Sequence, residues 1–321
     1  MQQEKQLGIL LILGSAIAYS LSGYFTRLIE LDVWMMLFWR GIFGGTFIGA
    51  YVCWRHRFNI PGAFRAMGMA GLWVTALSTV ATISFITALR LSPVADVMTI
   101  HAAIPFLTAV LAFAFTGTRE GWATWGASLL AFLGVAIMVN PQGTAEHLMG
   151  NALAGIMALS YAAMMVIIRR NGHVSMLPAA CLSAFACSLV VLPWADPANV
   201  GTPDLVALLL FGTVQFGLGL LLMTLGTRLI SATRSALVGS LENPLAPFWV
   251  WLAFGEAPAQ ATWIGGIIVM TAVLGEVLVK SWRAPAGSGN SSLSAESLSP
   301  AGPGSEASPG RGARSRPSHS R

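Results

Sequence analysis

Residues 94–115 read VADVMTIHAAIPFLTAVLAFAF, 22 residues in which Asp96 is the single carboxylate and His101 the single other titratable side chain. A run of about 20 apolar residues is long enough to cross a hydrocarbon core of about 30 Å as an α-helix. Only a helix or a closed barrel satisfies its backbone hydrogen bonds where water is absent. Working outward from this stretch, nine more runs of the same kind predict spans at 7–27, 34–54, 68–89, 121–139, 150–168, 178–194, 205–226, 233–254 and 259–279. The breaks carry turn and charge residues, among them Glu30 and Asp32, Arg55 to Arg57, Arg90 to Pro93, Arg119 and Glu120, Pro141 to Gly143, and Asp196 to Pro203. The expected fold class is an all-α integral membrane protein of ten transmembrane helices.

Composition excludes the soluble alternative. The chain is 55% hydrophobic and 10% charged, against about a quarter charged in a soluble domain. Lys5 ahead of an apolar stretch, with Ala16-Ile17-Ala18 behind it, imitates a secretory signal, but the stretch stays apolar past Ala18 and nine spans follow. The first segment is therefore expected to be a retained helix. Cys53, Cys181 and Cys187 lie inside apolar segments without disulfide or metal spacing, so neither a metal nor a cofactor is expected.

The net charge of +5 is distributed by side of the membrane instead of clustering on one face, which argues against a nucleic-acid partner. With the N-terminus in the cytoplasm, Lys5, Arg55, Arg57, Arg65, Arg119, Arg169, Arg170, Arg228, Arg234, Lys280 and Arg283 fall inside, and Arg27 and Arg90 outside. Both termini are then cytoplasmic, and a bacterial inner membrane is the expected location. Trp34, Trp54, Trp122, Trp194, Trp263 and Trp282 stand at span ends, as interfacial anchors do. Residues 284–321, rich in Gly, Ser, Pro and Ala, are expected to be a disordered cytoplasmic tail.

The second five spans echo the first. Ala16, Tyr19 and Arg27 recur with the same spacing as Ala158, Tyr161 and Arg169; Ser92, Pro105 and Phe115 recur as Ser231, Pro244 and Phe254; Ala123-Thr124-Trp125 recurs as Ala261-Thr262-Trp263. An odd number of helices per copy turns the second upside down, giving inverted repeats over residues 1–140 and 150–283. Two such halves rock between outward-open and inward-open arrangements around a site near the midplane. Pro105 and Pro244 are hinge candidates, because a proline inside a span removes a backbone donor and kinks the helix. A static kink is the other reading.

These residues resemble the drug/metabolite transporter superfamily, in particular its ten-helix EamA-type members, over roughly residues 7–280. The resemblance is carried by Ala88-Leu89-Arg90-Leu91-Ser92-Pro93 with Pro105 and Glu120, and by residues 231–244 with Phe254-Gly255-Glu256 and Gly265. It implies a secondary transporter, often an exporter of small metabolites, working by alternating access around a central cavity.

Ionisable groups inside apolar spans point to the site, since a charge at the bilayer centre costs about 2.5–3.5 kcal/mol on insertion scales unless partnered or hydrated. Arg40 and Asp96 fall at similar depth. They are expected either to pair and lock two helices, or to leave Arg40 as an outer gate or a docking group for an anion. Glu242, before Asn243 and Pro244, and His101 are the proton-coupling candidates, because a carboxyl in low dielectric exchanges protons nearer neutrality and imidazole does so intrinsically. For both, the alternative is a hydrogen-bonded core residue. Tyr19, Tyr161, Gln215 and Asn243 are the expected cavity lining, with Gly212, Gly217 and Gly219 allowing close helix packing.

Competing functions lack their chemistry. There is no phosphate-binding Gly-rich loop with Lys-Ser/Thr, no His-Glu-x-x-His and no Gly-x-Ser-x-Gly. The expectation is a transporter, not an enzyme, with a small-molecule substrate and lipid as partners, sufficient as a monomer or homodimer.

Overall fold

The computed structural model describes residues 2–55, 60–117, 122–138, 144–171, 174–198, 200–230, 235 and 238–283. The expectations for Arg57, Arg119, Glu120, Pro141 to Gly143, Ser231, Arg234 and the tail from residue 284 lie outside them. Among the described residues every regular element is helical. In chain order these are α1 (Gln2–Ser20), α2 (Ser22–Leu28), α3 (Val33–Arg55), α4 (Ile60–Leu91), α5 (Val94–Ala102), α6 (Ile104–Thr116), α7 (Trp122–Met138), α8 (Ala145–Arg170) and α9 (Leu177–Val191). Then come α10 (Thr202–Leu210), a π-helical stretch (Phe211–Leu218), α11 (Gly219–Gly226), α12 (Glu242–Phe254) and α13 (Gln260–Arg283).

Seven helices or joined helix pairs are long and apolar enough to cross a membrane, and Trp125–Ile137 and Gln260–Gly275 are shorter apolar stretches. Their surfaces fit that solvent: Leu10, Phe115, Leu129, Leu189 and Leu252 are exposed large apolar side chains, which only a hydrocarbon environment accepts in such number.

Proline decides where the fourth and ninth spans break. The helix of residues 94–115 is interrupted at Ala103, with Pro105 in the first turn of α6, where its missing donor has no helical partner to lose. The ninth span behaves alike at Pro244: Glu242 opens α12 and puts Pro244 in the first turn, whereas Pro247 is carried inside the helix. Both α6 and α12 run 13 residues and end on a left-handed glycine, Gly117 (φ 64°, ψ 8°) and Gly255 (φ 69°, ψ 12°).

Packing follows small residues. α3 lies against α9 and the π stretch, α4 against α8 and α9, α1 against α11, and α7 against α13. At the contact of α3 with the π stretch, a β-carbon on Gly212 would lie 2.9 Å from both the Arg40 carbonyl oxygen and the Gly44 nitrogen. Only glycine permits that approach. Hydroxyls on α4 reach α9: Thr75 Oγ1 and Thr79 Oγ1 donate to the carbonyls four residues back at 2.9 Å and share that hydrogen with Ala179 O and Ser183 O, each at 3.3 Å. These bonds fix the scaffold on which the broken spans are carried.

Candidate functional site

The two helix breaks meet. His101, in the last turn of α5, places Nδ1 3.1 Å from Asn243 Oδ1 in the first turn of α12. Asn243 Nδ2 donates to Ser240 O at 3.4 Å, which leaves Oδ1 as acceptor, so His101 Nδ1 carries the hydrogen and Nε2 the lone pair. The imidazole lies 6.1 Å from the Tyr161 ring and 6.0 Å from Phe85. Tyr19 stands in electrostatic reach of Tyr161, Glu242 and Arg40, and Tyr161 in reach of Glu242. The tyrosines that echo one another in sequence therefore converge on the same place.

Tyr19, His101, Tyr161, Glu242 and Asn243 are each only half-buried, and all but Tyr161 stand at helix ends that fall inside the apolar spans read from the sequence. Polar side chains with that combination line an internal space, since in hydrocarbon their groups would go unsolvated. Trp249 Nε1 donates to Ser20 Oγ at 2.9 Å, holding α12 against α1 beside it.

Arg40 forms the second part of the site. The side chain is 6% exposed, and one terminal nitrogen donates to Gln215 Oε1 at 3.2 Å. Gln215 in turn donates from Nε2 to the Tyr19 carbonyl at 3.3 Å. The guanidinium carbon lies 4.6 Å from the Phe216 ring centroid and 5.0 Å from that of Phe211, so both aromatic faces meet the cation. Nε is buried without a hydrogen-bond partner. Phe211, Gln215 and Phe216 all belong to the π stretch, whose widened turn brings residues four and five apart to one side.

Arg40 and Asp96 are not paired, which corrects the ion-pair expectation. Asp96 instead accepts from Thr262 Oγ1 at 2.6 Å, on α13. Similar depth along two helices says nothing about their rotation, and rotation turns these side chains toward different neighbours.

A second polar cluster closes the end of the bundle that holds Arg27. Arg27 Nε and Glu256 form an ion pair at 2.8 Å, with relative side-chain exposures of 21% and 28%. Arg27 also donates to the Leu89 and Ser92 carbonyls, and Glu256 Oε1 accepts from the Val94 backbone N–H at 3.0 Å. Ser92 Oγ donates to His147 O at 2.9 Å, adding α8 to the cluster. Sequence reasoning had Arg27 as an outer residue marking the internal repeat and Glu256 as part of the family-like stretch, without pairing them; their opposite signs at the same outer side were the available signal. Phe211 and Phe216 carried no signal beyond their proximity to Gln215.

The geometry is that of polar side chains gathered inside an apolar bundle, with an ion pair at one end. A family model described as the EamA-like transporter family matches the chain twice, over residues 6–140 and 148–277. The chain belongs to the EamA-like transporter family. The described part of this EamA-like chain has the long apolar helices that a membrane-spanning member of such a family requires. It is similar to the S-adenosylmethionine uptake transporters of Rickettsia bellii (29% identical over 191 residues) and Rickettsia prowazekii (27% over 194 residues). Each match covers 58% of this chain and 64% of the relative, so the chain spans just under two thirds of the curated relatives it matches. One solved crystal structure shares the fold with TM-score 0.57 at 18% identity, covering 86% of this chain and 96% of its own.

Proposed function

We propose that the chain is an alternating-access secondary carrier for a small amphipathic metabolite of the S-adenosylmethionine kind, built as ten spans in two inverted five-helix repeats. The observation that carries this reading is the convergence of Tyr19, Tyr161, His101, Asn243 and Glu242 where the fourth and ninth spans break. Helix pairing supports the inverted repeat. α4 on α8 corresponds to α11 on α1, α4 on α9 to the π stretch on α3, and α6 on α8 to α12 on α1, each pair exchanging the halves. The two-fold match of the family model supports the same division, residues 1–140 against 150–283.

Uptake is the direction that the relatives favour, in place of the export implied by the family resemblance. The distribution of Lys and Arg supports cytoplasmic termini in a bacterial inner membrane. In this cycle Glu242 and His101 exchange the coupling proton. The tyrosines and Asn243 contact the solute, and the breaks at Pro105 and Pro244 absorb the rocking of the halves.

Reconstituted vesicles supplied with labelled S-adenosylmethionine and amino acids, with and without an imposed pH gradient, test the reading. Wild type should accumulate one solute class with the gradient, and Glu242→Gln should lose accumulation while keeping exchange. Gradient-independent flux in both would remove the coupling role and leave a facilitative exchanger.

A further inference from the structure

We propose that Arg40 is the docking group for a carboxylate on the transported solute, an assignment that rests on the carrier reading above. The guanidinium is a buried cation at 6% exposure, and the charged or ionisable groups in electrostatic reach of it are Tyr19 and Cys187, not a carboxylate. Its flat faces are taken by Phe211 and Phe216, which leaves only the rim of the plane for hydrogen bonds. Along that rim one terminal nitrogen reaches Gln215, and Nε has no partner. A helix-locking arginine would show the reverse: a charge balanced by Asp or Glu and donors consumed by carbonyls, as Arg27 does with Glu256, Leu89 and Ser92.

A buried charge left unbalanced is strongly destabilising, so a site that retains one is built to have it balanced by something that arrives. The open edge of the guanidinium has a definite chemistry. The unpartnered Nε and a terminal nitrogen that spends one of its two hydrogens on Gln215 share one plane, and such an edge holds the two oxygens of a carboxylate in fork geometry. One guanidinium balances one negative charge; a phosphate monoester would bring a second with no cation to meet it. Gln215 is the positioning residue, because its amide holds the guanidinium on one side and the Tyr19 carbonyl on the other. Tyr19 is also in reach of Glu242. A solute that bridges these groups therefore presents a carboxylate to Arg40 and a cationic group toward Glu242, as the amino-acid end of a metabolite does.

The test uses the full chain in proteoliposomes and follows labelled S-adenosylmethionine and labelled amino acids. Competitors are decarboxylated S-adenosylmethionine and the amines that match each amino acid. In wild type the carboxylate-free competitors should be weaker by about 30-fold or more, the discrimination expected when a buried charge loses its partner. Gln215→Glu places a carboxylate beside Arg40 within the protein. Its melting temperature should hold or rise while the preference for carboxylate-bearing solutes collapses toward parity. Arg40→Lys, a point charge without the fork, should raise the apparent KM for carboxylates and leave the amines unchanged. Equal competition by carboxylates and amines in wild type, or a full preference surviving in Gln215→Glu, overturns the assignment and leaves the carrier standing. Absence of flux for every labelled solute overturns the carrier reading and the assignment with it.

Discussion

At the residue scale, the decisive distinction is between two of the arginines that enter the bundle. Arg27 is matched by Glu256 and two carbonyls, and Arg40 by one neutral amide and two aromatic rings. That difference makes Asp96 a useful control. If Asp96 were the counter-ion of Arg40, removing its charge would leave a buried cation unpaired at about 3–5 kcal/mol. Its partner is the Thr262 hydroxyl, and an amide oxygen accepts that bond as well. Asp96→Asn should therefore cost no more than about 1 kcal/mol in thermal melts of the detergent-solubilised protein. The residue types of the site were legible in the sequence because polar groups inside apolar runs are few. The partners were not, because burial depth is read along a helix, whereas partner choice depends on rotation about it.

Among the elements, the breaks in the fourth and ninth spans were legible from Pro105 and Pro244. The start of α12 at Glu242 follows from the same rule once the first-turn tolerance of proline is applied. The π stretch was not legible. Gly212 and Gly217 marked close packing in the eighth span, but a wide turn differs from an α-turn by one hydrogen-bond register, which apolar periodicity over eight residues does not resolve. Its seat against α3 is held by the Gly44–Gly212 approach. Gly212→Ala should force these elements apart, with a loss of about 1–3 kcal/mol in melting experiments, as overpacking does elsewhere. Because Arg40 and Gln215 sit on the two sides of that contact, the same variant should raise the apparent KM for transport, measured in vesicles.

For the whole molecule, the cluster of Arg27, Glu256, Ser92 and Val94 joins the ends of α2, α4, α5 and α12 at one face. We expect Glu256→Gln to shift the closed-to-open balance at that face by about fivefold, since an ion pair whose side chains keep partial contact with solvent contributes about 1 kcal/mol. A single cysteine at Ala257, in a background with Cys53, Cys181 and Cys187 replaced, reports it. Its labelling by a membrane-impermeant maleimide should quicken in the Glu256→Gln variant, and an unchanged rate would show that the cluster is structural. Long apolar runs made the all-helical membrane fold readable, since length and polarity are one-dimensional. The closing of this end depends on loops brought together from four separate elements, and no local pattern encodes it.

The paired lengths of α6 and α12 bear on how the protein meets its lipid. A helix of 13 residues is about 20 Å long at 1.5 Å per residue, short of a hydrocarbon core of about 30 Å. Neither helix crosses alone, whereas α3 and α8 run as long single rods. In a thicker or thinner bilayer a rod answers hydrophobic mismatch by tilting as a whole. A jointed span can change its angle on one side of the break alone. The thickness of the membrane then acts on the joints at Ala103 and Glu242 before it acts on the bonds that tie Asp96 to Thr262 or Trp249 to Ser20.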